Sequence, residues 1–559
     1  MKQKMIDLME RSLAAYSDEH IERYFNDVKT NGLTEHGFPR LTANIGILIA
    51  HGRRLDLLPM FREMMEFCCK TIPNVKAAND FSVREIICCL WEVEEKGVCT
   101  KEESGRWRGY LAAIEHEKCY TRFATSPTDY YRNWVLFTAV SEYFRQQAGL
   151  CEIDEFLELQ LVQQLQWMDE NGMYVDKKDT HGYQPIMYDL VPRGLLALLL
   201  HRGYRGASYE RIDAYLKKAG LLTLDMQSPN GEMAFGGRSN QFLHNEAWMI
   251  AVFEYEANRY AREGNLALAG RFRAASARAL AVTERWLSKE PIRHIKNRYP
   301  TETKFGCEEY AYFDKYMITV ASNLYVAYLI CDDSLPTEEM TDTAPAVCRT
   351  TDHFHKLFLK SGGYGLEFDL NADPDYDASG LGRVHREGAP SAICLSCPCP
   401  AHPHYTVSPE TGVALSLCSG IREGGEWQFV CDGGAVCEES TLSTDETHAH
   451  GRVCWRFTNG RTVTECCTVG AEGVVIKVRG EGEIAYALPA FAFDGETHTE
   501  IQKNGNCLTV AYEGWLCRYT VSGTLTDTEK IAVNRNGHYR AFVAKAENTL
   551  ELKIDIIKI

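Results

Sequence analysis

The feature that most constrains this chain is a change of hydrophobic period near residue 335. Before it, apolar residues recur every three or four positions in long segments separated by short Gly, Pro or Asn breaks. Asp129 to Gln147, Glu152 to Asp169, Pro185 to His201, Gln241 to Arg262, Leu266 to Ser288 and Glu308 to Cys331 are clear cases. Counting similar segments predicts about eleven or twelve helices, with connections short enough to make successive helices antiparallel neighbours. The stretch from Phe242 to Phe253 is apolar nearly all round, which suits an inner ring sheathed by an outer one. No fixed-period repeat speaks for an open solenoid, so residues 1–335 read as a closed α/α toroid. Residues 336–345, with Pro336 and Pro345 among polar residues, read as a linker. Beyond it the period falls to two, as in His355 to Lys360, Gly412 to Leu417, Gly473 to Val478 and Leu550 to Asp555. Residues 346–559 therefore read as an antiparallel β-sandwich, and the whole as a multidomain α-then-β chain.

Sixty Lys and Arg against 77 Asp and Glu give a net charge of −17 with no basic run, which speaks against a nucleic-acid partner. No stretch approaches the ~20 apolar residues of a membrane span. Met1 to Glu10 carries acidic residues where a secretory signal needs an apolar core, so a cytoplasmic location is expected. The 21 cysteines include the neighbours Cys68-Cys69, Cys88-Cys89 and Cys466-Cys467, which suits reduced thiols used as small buried residues. A homo-oligomer is compatible with all of this.

Polar residues gather where loops run into helices. The densest set spans Ser228 to Trp248: a Gly-rich loop, Arg238, a helix start expected near Ser239, and then Asn240, His244, Asn245 and Glu246. Guanidinium, imidazole and carboxylate converge there within about two turns, as a carboxylate-binding site with acid/base groups requires. A second set, Glu308, Glu309, Tyr310, Tyr312 and Tyr316, is expected to begin the last helix, with Glu309, Tyr312 and Tyr316 on one face. Tyr131, Asn133 and Trp134 form a third set, and His181, Tyr183 and Tyr188 a fourth. Aromatics mixed with amides are how proteins hold sugar rings. Core packing accounts for many of these residues without any ligand. In the second half, Leu381 to Ser391 is a basic loop in an acidic chain, and Arg383 and His385 are expected to reach over the cavity. Cys397, Cys399, His402 and His404 are soft metal ligands, but the intervening prolines make one closed zinc site awkward, so no cofactor is expected.

With Arg238-Ser239-Asn240 and His244-Asn245-Glu246 opening one late helix and Tyr310/Tyr312 opening the last, the chain resembles the heparinase II/III-like carbohydrate-active enzymes. The toroidal bacterial β-glucuronidases of glycoside hydrolase family 154 look nearest. That resemblance implies a uronic-acid-containing oligosaccharide as partner, and the favoured expectation is an exo-acting hydrolase releasing terminal uronic acid. Hydrolysis needs two carboxyl groups flanking the bond, for which Glu246 and Glu309, with Glu308 and Glu232, are available. The alternative is a uronate-specific lyase that neutralises the carboxylate with Asn133, Arg238 or Asn240 and abstracts the C5 proton with His244 or Tyr312. The familiar toroidal lyase pattern resembles an Asn-Asn-His run, whereas here Glu follows His-Asn. A non-catalytic glycan-binding protein is the third reading, and it would lack convergent Glu or His.

Overall fold

The computed structural model describes residues 1–176, 183–337 and 343–559. His181 and the middle of the expected linker lie outside the described residues. Among the described residues, twelve helices form two concentric rings. The inner six are Gly37–Ala50, Val83–Glu95, Trp134–Gln147, Ile186–His201, His244–Arg262 and Phe313–Ile330; they touch in chain order, and the sixth packs back on the first. Leu58–Thr71, Lys101–Ala112, Asp154–Leu165, Tyr209–Met226, Leu266–Leu287 and Lys2–Leu13 sheath them. Two further helices, Asp18–Asn31 and the single turn His116–Cys119, fall outside this alternation.

Composition separates the rings. In Gly37–Ala50 every residue from Gly37 to Ile49 is buried, as expected of a mostly apolar helix sheathed by an outer ring. The outer Lys101–Ala112 buries only Trp107 and Leu111 and is held at its start by a capping box. There Thr100 Oγ1 accepts the Glu103 N–H at 3.1 Å, and the Glu103 carboxylate accepts the Thr100 N–H at 2.8 Å. Inner helices meet closely where a side chain is missing. A Cβ on Gly194 would lie 2.3 Å from the Trp248 ring of the next inner helix, so glycine there is what admits the indole. One buried carboxylate inside the ring gathers several donors: Arg40 and Arg84 both donate to Glu85, at 3.0 and 2.9 Å, and Ser322 donates to it at 2.6 Å.

The second half is antiparallel throughout. Ala346–Arg349, Lys356–Ser361, Tyr364–Asp369 and Gly380–Arg386 form a four-stranded sheet; the other strands form one of eleven, built on the long pair Gly473–Phe493 and Gly537–Lys558. Both sheets contribute to one apolar core, with Leu357, Leu359 and Leu366 from the smaller and Trp455, Ile476 and Leu552 from the larger. The sandwich abuts the ring through Arg535 and Asp377, which hold loops leading into inner helices.

Candidate functional site

Because inner and outer helices alternate in direction, the six inner N-termini share one end of the ring. The loops running into them carry the polar sets, and the sheet half packs against the same end. The last loop turn before His244 has an unusual backbone. Ser239 and Gln241 take φ of +58° and +65°, a region costly for residues with a Cβ. The helix therefore begins at His244 and not near Ser239. Gly237, at φ +70°, packs on Pro185 and gives its N–H to Asp377 at 2.5 Å.

Ser239 is the centre of the site. Its hydroxyl lies 3.3 Å from the Tyr188 hydroxyl and 3.0 Å from that of Tyr310, and its N–H donates to Glu308 at 2.5 Å. The neighbouring Arg238 guanidinium sits 4.4 Å over the Tyr188 ring, and its Nη2 is 3.5 Å from Asp176. Asp176 in turn accepts from Asn133 Nδ2 at 2.6 Å. Burial opposes the charge on Arg238, yet Tyr188, Tyr310 and Asp176 together hold its pKa above the ordinary value. Burial, then Tyr188 and Glu308, pushes the Tyr310 phenol up, so it stays protonated. Tyr310 nevertheless remains 39% exposed and reaches solvent. Tyr376, from the sheet half, is raised by burial and by Glu308, with Arg238 acting against the shift.

Behind this front lies an aromatic wall. The Tyr316 ring is 6.2 Å from that of Tyr310 and edge-on to His244 at 5.2 Å, and His244 stacks on Phe242 at 5.6 Å. Burial, helped by His294 and Arg40, lowers His244 to about 3, so the imidazole is neutral; its Nδ1 is buried with no partner among the described residues. Asn240 Oδ1 accepts from Gln241, while its Nδ2 is buried with no partner among the described residues. Asn245 Nδ2 donates to the Ser239 carbonyl and so supports the strained turn.

Several expected roles fail on geometry. Glu246 is wholly buried: its Oε1 accepts from Lys296 at 2.5 Å and from the Met233 N–H at 3.2 Å. Burial raises its pKa against the pull of Lys296. Glu232 reaches the same lysine at 3.5 Å, Arg285 at 3.2 Å, and accepts from Ser391. Burial would raise Glu232 too, but Lys296, His385 and Arg285 outweigh it and hold the carboxylate ionised. Glu246 itself is thus wholly buried in an ion cluster with Lys296 and Glu232, away from any surface where a sugar could bind. The last inner helix starts at Phe313, so Glu308 to Tyr312 is loop, and Glu309, Tyr312 and Tyr316 share no helical face. Glu309 is exposed. Tyr312, also exposed, lies under the Lys304 ammonium at 4.6 Å. Glu308 is buried with both oxygens on Arg535.

Arg383 and His385 form no lid. They lie in the strand Gly380–Arg386, both buried. Arg383 donates to the Ser396 and Met233 carbonyls, and the His385 nitrogens meet the Ser228 and Ser396 hydroxyls at 3.0 and 3.2 Å. Half-buried Trp134, the first residue of its helix, packs edge-on to Phe81 at 4.8 Å, and the Tyr131 carbonyl accepts from Gln164 at 3.0 Å, so both contacts are with neighbouring elements of the ring. Half-buried Tyr183 is raised by burial and by Asp373, Asp369 and Asp375 of the sheet half. Cys397 and Cys399 are buried while His402 and His404 are exposed. Among the described residues no three His, Cys, Asp or Glu side chains are disposed to hold an ion. Asp176, Lys296 and Arg535 escaped the sequence reading. Arg535 alone carried a local signal, a cation inside the turn Asn534-Arg535-Asn536-Gly537.

No protein-family model and no curated protein matches the chain. Among solved structures it is similar to a chondroitin AC lyase of Streptomyces coelicolor A3 in complex with chondroitin sulphate. The identity is 10%, the TM-score 0.47, and the match covers 99% of this chain and 79% of that one. A heparan sulfate lyase HepC mutant from Pedobacter heparinus gives 8% identity and a TM-score of 0.45 over 94% and 76% of the two chains. A GH127 beta-L-arabinofuranosidase from Geobacillus stearothermophilus T6 gives 10%, 0.34, 100% and 80%.

Proposed function

We propose that the chain is a carbohydrate-active enzyme that cleaves uronic-acid-containing oligosaccharides by β-elimination. The observation that carries this reading is the Tyr188–Ser239–Tyr310 hydroxyl chain with Arg238 stacked on the Tyr188 ring. The two carboxyls that hydrolysis was expected to use stand elsewhere, Glu246 in an ion pair and Glu309 in solvent.

Arg238 receives the uronate carboxylate, which withdraws charge from C5 and makes its proton removable. The Tyr188 oxygen, beside the Arg238 guanidinium, takes that proton as its own hydroxyl proton passes to Ser239. The C5–H electron pair becomes the C4=C5 double bond as the C4–O bond breaks. The leaving oxygen takes its proton from Tyr310, which burial keeps protonated, and the Ser239 hydroxyl passes a proton from Tyr188 to Tyr310 to restore the pair. Incubation with glucuronate-containing oligosaccharides, read by ultraviolet absorbance beside reducing-sugar release, tests this. Elimination yields the conjugated double bond; new reducing ends without it would sink elimination in favour of hydrolysis. Arg238→Lys should weaken uronosides far more than neutral glycosides, and equal loss on both would remove its assigned role.

A further inference from the structure

The site's central serine is held from the other half of the molecule. Arg535 sits in the tight turn between the strands Thr524–Asn534 and Gly537–Lys558 and is buried where the sheets meet the ring. Its Nη2 donates to Glu308 Oε1 at 2.6 Å and its Nη1 to Oε2 at 3.0 Å, the two-point geometry that fixes direction as well as distance. Nη1 also donates to the Gly306 carbonyl at 2.6 Å, and the guanidinium lies 4.0 Å over the Tyr405 ring. The turn itself is locked. Asn297 donates to the Arg535 carbonyl at 2.9 Å, and Asn536 donates to the Lys296 carbonyl at 2.9 Å and to Gln241 at 3.2 Å.

Glu308 Oε1, aimed by this clamp, accepts the Ser239 N–H. A serine at φ +58° stays there only when its surroundings over-determine it. Asn245 holds the carbonyl of Ser239 and Glu308 holds its N–H, so removing the clamp frees one of the two backbone anchors. We infer that Arg535 is a positioning residue for the hydroxyl chain, acting through Glu308 on Ser239. Its kinetic consequence rests on the elimination reading above, whereas its geometric consequence does not.

Arg535→Lys keeps the charge and loses the fork. The full-length variant should lose about 10²-fold in kcat, as expected when reacting groups shift by about 1 Å, with KM within about threefold of wild type. Its crystal structure should show Ser239 out of the left-handed region and its hydroxyl away from Tyr310. Ser239 unmoved would overturn the inference whatever the kinetics, as would wild-type kcat in a variant whose Ser239 had moved. If Arg535→Lys does not fold, Glu308→Gln, which keeps size and loses charge, is read by the same two measurements. A wild-type protein inert toward uronate oligosaccharides would refute the elimination reading alone, and the position of Ser239 would still decide this one.

Discussion

Two buried glutamates near the mouth of the ring, Glu246 and Glu308, each face one cation, yet they do different work. Glu246 and Lys296 are both in the helical half, and their pairing ties the first turn of an inner helix to the loop behind it. Glu308 and Arg535 are 227 residues apart and belong to different halves, and their pairing continues into the Ser239 turn. A buried ion pair is poor evidence of catalysis by itself; what its remaining bonds hold decides its importance. Glu465 offers a third case, a buried carboxyl with no cation paired to it among the described residues. It accepts the N–H and hydroxyl of Ser419 at 2.8 and 2.6 Å inside the sandwich.

The sharpest break of this comparison is kinetic. Tyr310→Phe should lose about 10²–10⁴-fold in kcat with the fold intact, because it removes one end of the hydroxyl chain. Glu246→Gln, in contrast, should stay within about tenfold of wild type per folded molecule. A dead Glu246→Gln beside an active Tyr310→Phe would reverse the assignment. Next comes stability. Lys296→Met leaves Glu246 and Glu232 buried without their shared cation and should cost about 3–5 kcal/mol in denaturant unfolding. A cost under about 1 kcal/mol would mean that Lys296 is not what neutralises the cluster.

A smaller effect is expected from Glu465. Burial raises its pKa from 4.5 to about 7, so between those values the folded protein keeps a proton that the unfolded chain releases. Its contribution is therefore most favourable below about pH 4.5 and is lost as pH rises through about 7, on the order of 3 kcal/mol in all. Glu465→Gln should flatten that part of the stability profile, measured as unfolding midpoint against pH; an unchanged slope would place the titration elsewhere. Smallest of all, Tyr312→Phe should leave kcat/KM nearly unchanged, since that phenol lies in an exposed loop under Lys304.

The architecture was legible in the sequence for a physical reason. An inner helix buried on nearly all sides, such as His244–Arg262, carries a long apolar run from Ala247 to Phe253, and strands packed on one face must alternate. Arg238, Tyr188 and Tyr310 could be picked out as candidates from the sequence because all three stand at loop-to-helix junctions, and the structure brings them together around Ser239. What stayed hidden depended on pairing at long separation. Nothing near Glu246 announces Lys296, fifty positions on, which is brought back by the pairing of Phe242 with Ile295. Helix starts at His244 and Phe313 were misplaced because the positive φ of Ser239 and Gln241, and the loop conformation of Glu308 to Tyr312, are imposed by tertiary contacts.

The closure of the inner ring, Phe313–Ile330 against Gly37–Ala50, has a mechanical meaning. An open stack of helical pairs has terminal units that fray and need polar caps. A hoop has none: loss of any one pair uncovers two apolar flanks at once. The helical half should then melt as a single cooperative unit, with amide-exchange protection level around the circle instead of graded from its ends.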